Sequence, residues 1–190
     1  MAHNESRTDV LAISGSLRAR ASNTAILEAA RLLAPSDMRV TICSGIGTLP
    51  HFNPDLDVED GTGLPVEVEA FRDLVGKADT LLVSTPEYAH GLPGSFKNAL
   101  DWLVGSTTFP GKPVAVVNVS PRSIHAQAQL REILITMSAQ LLDAASRTVT
   151  LPRRDMDASS IAADPELAAQ LRSLLDEIAA TAKSSAGTRR

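Results

Sequence analysis

The stretch SGSLRARASNTA, residues 14–25, gathers hydrogen-bond donors: the hydroxyls of Ser14, Ser16 and Ser22, the amide of Asn23 and the guanidinium of Arg18. It follows the apolar run DVLAIS (9–14) and precedes a segment in which Ile26, Ala29, Ala30 and Leu33 recur at helical spacing. A helix start presents unpaired backbone N–H groups and a partial positive charge, so the chemistry expected here is the capture of a phosphate. With Gly15 its only glycine, the loop is neither G-x-G-x-x-G nor a P-loop, and its donors are side chains as much as backbone. The plainer alternative is a turn capped by Ser22 or Asn23, which leaves the Ser16/Arg18 pair without a task. Arg20 reads as a solvated cation.

A second stretch, TPEYAHGLPGSFKNALDWL (85–103), follows another apolar run and holds the chain's only tyrosine, Tyr88. Pro86 and the glycines permit a backbone path that can lie against a flat ring and offer it N–H and C=O groups. The competing readings are a surface or interface aromatic for Tyr88 and a solvent-facing loop residue for His90.

Other chemistries find less support. The four histidines (3, 51, 90 and 125) show no His-x-x-x-His spacing, so no metal site is expected. The acidic stretch NPDLDVEDG has its glycine in the wrong place for an EF-hand and reads as a solvated loop. One cysteine, Cys43, rules out an intramolecular disulfide and reads as a buried strand residue. A net charge of −4 from 18 basic and 22 acidic residues supplies no field for nucleic acid or anionic membranes. No apolar run is long enough to span a bilayer, and the start MAHNESRTDV lacks the layout of a secretory signal, so a cytoplasmic protein is expected.

The elements that must position these loops alternate in type. The runs at 9–14, 38–43, 79–84 and 113–119 are near-continuously apolar and β-branched, as strands covered on both faces are; RTVTL (147–151) is a shorter fifth candidate. Helical spacing appears in 23–34, in 65–77 (Val68, Phe71, Val75) and in 93–104 (Phe96, Ala99, Leu100, Leu103). The last helix opens with Asp164 as N-cap and Pro165 at its first position. This alternation predicts an α/β three-layer sandwich: a five-stranded parallel sheet of flavodoxin-like order 2-1-3-4-5 with helices on both faces. In such sheets ligands sit beyond the carboxyl ends of strands 1 and 3, which is where the two loops fall. A single domain over 1–183 is expected, with a small, polar, basic tail at 184–190.

The motifs GSLRARASN, TPEYAHGLPGSFKNALDW and GKPVAVVNVSP, in this order and supported by LPHFNPDLD (49–57), resemble the NADPH-dependent FMN reductases, relatives of quinone, azo-dye and chromate reductases. The resemblance covers roughly residues 9 to 150. It implies that Ser16, Leu17, Arg18, Ser22, Asn23 and Thr24 form the FMN phosphate loop. It further implies that Pro86, Glu87, Tyr88, Ala89 and Gly91 border the ring system, with Ser120 in a third loop beside it. FMN would be the cofactor and NADPH the co-substrate, passing a hydride to the flavin and on to a small-molecule electron acceptor in a ping-pong cycle. The flavin carries that chemistry, so no catalytic acid–base pair is expected.

Two positions depart from the family pattern. Ala89 stands where Asn is usual, and SPRSIHAQAQ replaces a glycine-rich loop, so Arg122, Ile124 and His125 narrow the pocket or add charge to it. Arg18, Arg20 and Arg122 are all candidates for the NADPH 2′-phosphate. The segment 124–142 carries one apolar stripe (Leu130, Ile133, Leu134, Met137, Leu141) and a second (Ile124, Ala128, Ile135, Leu142), which with the family's habits suggests a homodimer or homotetramer. Trp102, off the main face of its helix, either caps the core edge or meets a partner. Two other classes compete: an electron-carrying flavodoxin, against which modest acidity and 3% aromatic residues argue, and a non-enzymatic phosphate- or nucleotide-binding module. Chromate, quinone, azo dye and free flavin leave no residue pattern that separates them.

Overall fold

The structure is a computed structural model describing residues 7–58 and 63–188. The opening residues 1–6, the end of the acidic stretch at 59–62 and the last two residues lie outside the described residues. Strand β1 (Thr8–Ser14) lies between β2 (Met38–Cys43) and β3 (Thr80–Ser84), pairing in parallel with both. β4 (Pro113–Asn118) pairs with β3, giving the expected order 2-1-3-4-5.

Period-two alternation divides the core between the two faces of this sheet. Val10, Ala12, Leu82, Ala115 and Val117 pack against α1 (Ser22–Leu33), α5 (Ala158–Ala163) and α6 (Pro165–Thr188). Leu11, Ile13, Leu81, Val83 and Val114 face α2 (Val66–Lys77), α3 (Gly94–Asp101) and α4 (Ile124–Thr136). Strands buried on both sides explain why the runs read as continuously apolar. Cys43 ends β2 as a buried residue, and burial pushes its thiol up to about 11, which leaves it protonated and inert at neutral pH.

The fifth strand position is filled by two short pieces. β5 (Gln140–Leu141) pairs with Pro113 and Val114, and β6 (Arg147–Thr148) pairs with Val117 and Asn118. Between them the chain loops out, and the Ser146 hydroxyl takes the place of strand backbone. It accepts from Val116 N at 3.0 Å and donates to Leu142 O at 2.8 Å. The helical reading of 124–142 accordingly shortens, since α4 stops at Thr136 and Ser138 takes a left-handed φ of 62°. Leu141 and Leu142 belong to the sheet edge, while Ile124, Ala128 and Ile135 remain exposed on α4.

The capping expected at the last helix is present, with Asp164 Oδ1 accepting from Glu166 N and Leu167 N, both at 3.0 Å. α6 runs to Thr188, so its helical backbone continues into the segment whose composition suggests a tail. Short α5, capped by Asp157 on Ser160 N at 2.7 Å, has no counterpart in the sequence reading. Trp102 is wholly buried against the edge of the core, which decides between its two readings.

Candidate functional site

Because β2 and β3 flank β1 on opposite sides, the connections leaving β1 and β3 diverge to opposite faces and open a gap at their carboxyl ends. The two loops are fastened at its floor. Gly15 N donates to Ser84 O at 2.8 Å, and a Cβ on Gly15 would collide with the Thr85 side chain. The glycine is thus required by close approach and not by its φ.

Above this floor lies an open cleft of about 600 Å³. Ser16, Arg18, Ser22, Asn23, Pro86, Glu87, Tyr88 and Ser120 all line it, so eight of the residues singled out in the sequence meet at one place. Leu17, Thr24, Ala89 and Gly91 do not line it. Leu17 is exposed and packs over Gly47, and Thr24 Oγ1 donates to Ser14 Oγ at 2.9 Å. Another cleft, of about 530 Å³, lies between Gly76 and Gln140, at the amino end of β4 where Lys112 donates to Ala78 O. It is at the wrong end of the strands for a doubly wound ligand site.

The polar loop divides into anchors and free donors. Asn23 Nδ2 donates to Ser84 Oγ at 2.9 Å and Ser22 Oγ to Arg154 O at 3.0 Å, so both side chains serve the frame. The N-cap of α1 is Ala21, which offers no side-chain acceptor, so neither Ser22 nor Asn23 caps the helix. The first amides of α1 therefore open toward the cleft without a capping side chain, as an anion site requires. Arg18, Arg122 and Arg154 stand around the same space, and among the described residues none of the three is in an ion pair. The sole acid in the lining among the described residues, Glu87, is otherwise engaged. Its Oε2 accepts from His125 N at 2.8 Å and Ala126 N at 2.9 Å, capping α4. The Ala126 amide foremost, opposed by desolvation and aided by His125 and the His90 charge, holds this carboxyl below the ordinary glutamate range.

The ring-bordering loop turns back on itself at Ala89 and His90. Tyr88 and Gly91 exchange both backbone hydrogen bonds at 3.0 Å, and the two residues between them have φ of 49° and 59°. Two successive positive φ values define the hairpin turn that favours Asn or Gly at its centre. The asparagine usual at this position in the resembling family suits that backbone, and Ala89 holds it under strain. Ala89→Asn is expected to stabilise the fold by about 0.5–1 kcal/mol, measured by urea unfolding. A destabilised variant would show that a side chain longer than methyl is not accommodated there.

Arg154, Thr150, Leu151 and Val119 complete the cleft from the sheet edge. The sequence reading missed them. The adjacent Arg153–Arg154 pair just beyond the fifth strand was the available signal, because that strand's carboxyl end borders the same gap.

A family model described as NADPH-dependent FMN reductase matches residues 8–150. The chain belongs to this family. It is therefore an oxidoreductase that uses FMN and a nicotinamide cofactor. Among curated proteins it is 33% identical over 142 residues to a quinone reductase of Escherichia coli, covering 72% of this chain and 74% of that one. It is 34% identical over 154 residues to an NAD(P)H-dependent FMN reductase of Pseudomonas aeruginosa, covering 78% and 81%. Among solved structures, the flavoenzyme NAD(P)H:(acceptor) oxidoreductase of Paracoccus denitrificans superposes with a TM-score of 0.73 at 28% identity, covering 93% of this chain and 98% of that one.

The cleft fits such a cofactor on its own chemistry. Three arginines and an uncapped helix start answer a phosphate, and the Pro86–Tyr88 backbone answers a planar ring. Among the described residues no helix is long and apolar enough to cross a membrane.

Proposed function

We propose that this reductase is a cytoplasmic NADPH:quinone oxidoreductase whose single FMN-binding domain, residues 1–183, holds the flavin in the 600 Å³ cleft. The observation that carries the reading is the meeting of free cations and uncapped α1 amides at the β1/β3 switch point.

In this reading Ser16, Arg18 and the first amides of α1 bind the phosphate. Ser22, Asn23, Thr24 and Leu17 shape the loop that presents them. Pro86, Glu87 and Tyr88 border the ring through their backbone, the turn at Ala89–Gly91 fixes their path, and Ser120 closes the side below β4. Arg122 and Arg154, which also line the cleft, would answer the 2′-phosphate that distinguishes NADPH from NADH. When bound, FMN supplies hydride acceptance and its onward delivery. The chain's own part is orientation, charge and an open face on which nicotinamide and acceptor follow one another. Quinone is favoured as acceptor because the similar E. coli protein is a quinone reductase. The exposed Ile124, Ala128 and Ile135 on α4 supply a face for a homo-oligomer.

The test is an anaerobic visible spectrum of the FMN-loaded protein, followed by NADPH and then by a benzoquinone. The oxidised flavin band should disappear within seconds and return on addition of quinone. A flavin that NADPH leaves oxidised would indicate an electron carrier instead, and absence of FMN binding would return the cleft to another phosphate ligand.

A further inference from the structure

At the outer rim of the cleft the fold brings His125, from the start of α4, against Glu87 and His90, which share the loop after β3. By capping α4, Glu87 draws the first turn of that helix against the loop after β3. The imidazole of His125 then lies over that of His90, with ring centroids 4.3 Å apart and planes inclined by 24°. The ligand-capable atoms of Glu87, His90 and His125 all fall within 4.8 Å of one another.

We propose that Glu87, His90 and His125 form a binding site for a divalent transition metal of the Zn2+ type. Two imidazoles and one carboxylate are the donor set of zinc and its neighbours, whereas Mg2+ and Ca2+ demand more oxygen ligands. Around a tetrahedral ion with bonds of 2.0–2.1 Å the donor atoms stand about 3.3 Å apart, so atoms now within 4.8 Å of one another need to close by at most about 1.5 Å. His90 and His125 are both exposed, so neither is held in the core. Glu87 Oε2 is held by two amides, while Oε1 carries no hydrogen bond among the described residues and is free to coordinate. The amides also fix the carboxylate's orientation, which is the service that outer partners perform in metal sites generally.

The proposed site departs from the expectation, drawn from histidine spacing alone, that no metal binds. His-x-x-x-His is the pattern of two ligands on one helix, and here the ligands come from a turn and a separate helix start. A bound ion would tie the 86–91 turn to α4 and so stiffen the loop that borders the cleft.

The test is equilibrium dialysis of the metal-free, FMN-loaded protein against Zn2+ in a non-coordinating buffer, repeated without FMN. One Zn2+ per chain at low-micromolar affinity is expected. His90→Asn, which tolerates the left-handed backbone, and His125→Gln, which leaves the backbone cap intact, should each weaken binding by more than about tenfold. His51→Ala should not. Unchanged circular dichroism in each variant would show that the loss is not unfolding. Failure of the wild-type protein to bind one equivalent, or binding that survives both substitutions, would overturn the proposal. Because the dialysis reads metal with and without flavin, its result does not depend on the assignment of FMN to the cleft.

Discussion

Arg18→Ala is expected to bind FMN roughly tenfold more weakly, and riboflavin as well as before. Arg18 lines the cleft together with the uncapped start of α1, and among the described residues it is in no ion pair with a carboxylate. A phosphate would supply that partner through a charge-assisted hydrogen bond. Arg18 is exposed, so solvent screening limits the loss to roughly one order of magnitude and not several. The same exposure makes the effect dependent on salt. Wild-type affinity for FMN should fall as ionic strength rises, and the variant should show less of that slope.

Riboflavin carries the same ring without the phosphate, so the ratio of the two affinities, read by quenching of flavin fluorescence, isolates the contact in question. Arg20→Ala serves as the control, because Arg20 is exposed and does not line the cleft. An unchanged FMN affinity in Arg18→Ala would assign the phosphate to the α1 amides and Arg154. A parallel loss for riboflavin would mean that the loop had collapsed.

What the sequence made legible follows from where its signals are strong. β1, β3 and β4 are covered on both faces, so their apolar runs stand out, and the strand order places two polar loops at one switch point. Eight of the twelve candidate residues therefore meet in the cleft. Roles within the loop were less legible, because a donor in a sequence does not announce its acceptor. Asn23 and Ser22 spend their side chains on Ser84 and Arg154, and Glu87 spends its carboxylate on α4. Arg154 itself reaches the site only because the fifth strand ends beside it.

The less legible segments each have a physical cause that residue spacing does not carry. Strand pieces of two residues have no period to detect, and the continuity of that edge rests on the hydroxyl of Ser146, a residue whose type suggests a turn. Leu141 and Leu142 continue the apolar spacing of α4 in sequence, although the left-handed Ser138 has already ended the helix. The pairing of His90 with His125 depends on the Glu87 cap, a tertiary contact that no spacing rule contains.

Trp102→Ala is expected to destabilise the fold by about 3–5 kcal/mol, the range for truncating a fully buried aromatic. For a chain of this length that loss lowers Tm by roughly 6–20 °C in a thermal melt. Trp102 is the largest fully buried side chain, and it does more than fill space. Its indole Nε1 donates to Pro50 O at 2.8 Å, and its ring meets Phe52 edge to face at a centroid distance of 5.0 Å. Asn98 adds to the same attachment, donating to Pro50 O and accepting from Phe52 N. Arg72 completes it, donating to Trp102 O while pairing with Asp57 at 2.7 Å. The segment 50–57, whose second half opens the acidic stretch NPDLDVEDG that reads as a solvated loop, is thus strapped to the end of α3 by these three side chains. Removing the indole opens a cavity and releases one end of the strap. Trp102→Phe keeps an aromatic body but deletes the donor, and should lose appreciably less than alanine does. Since neither Trp102 nor Pro50 lines the 600 Å³ cleft, FMN affinity measured well below the melting transition should stay near that of the wild type. Stability and flavin affinity falling together would instead mean that the strap helps to set the cleft.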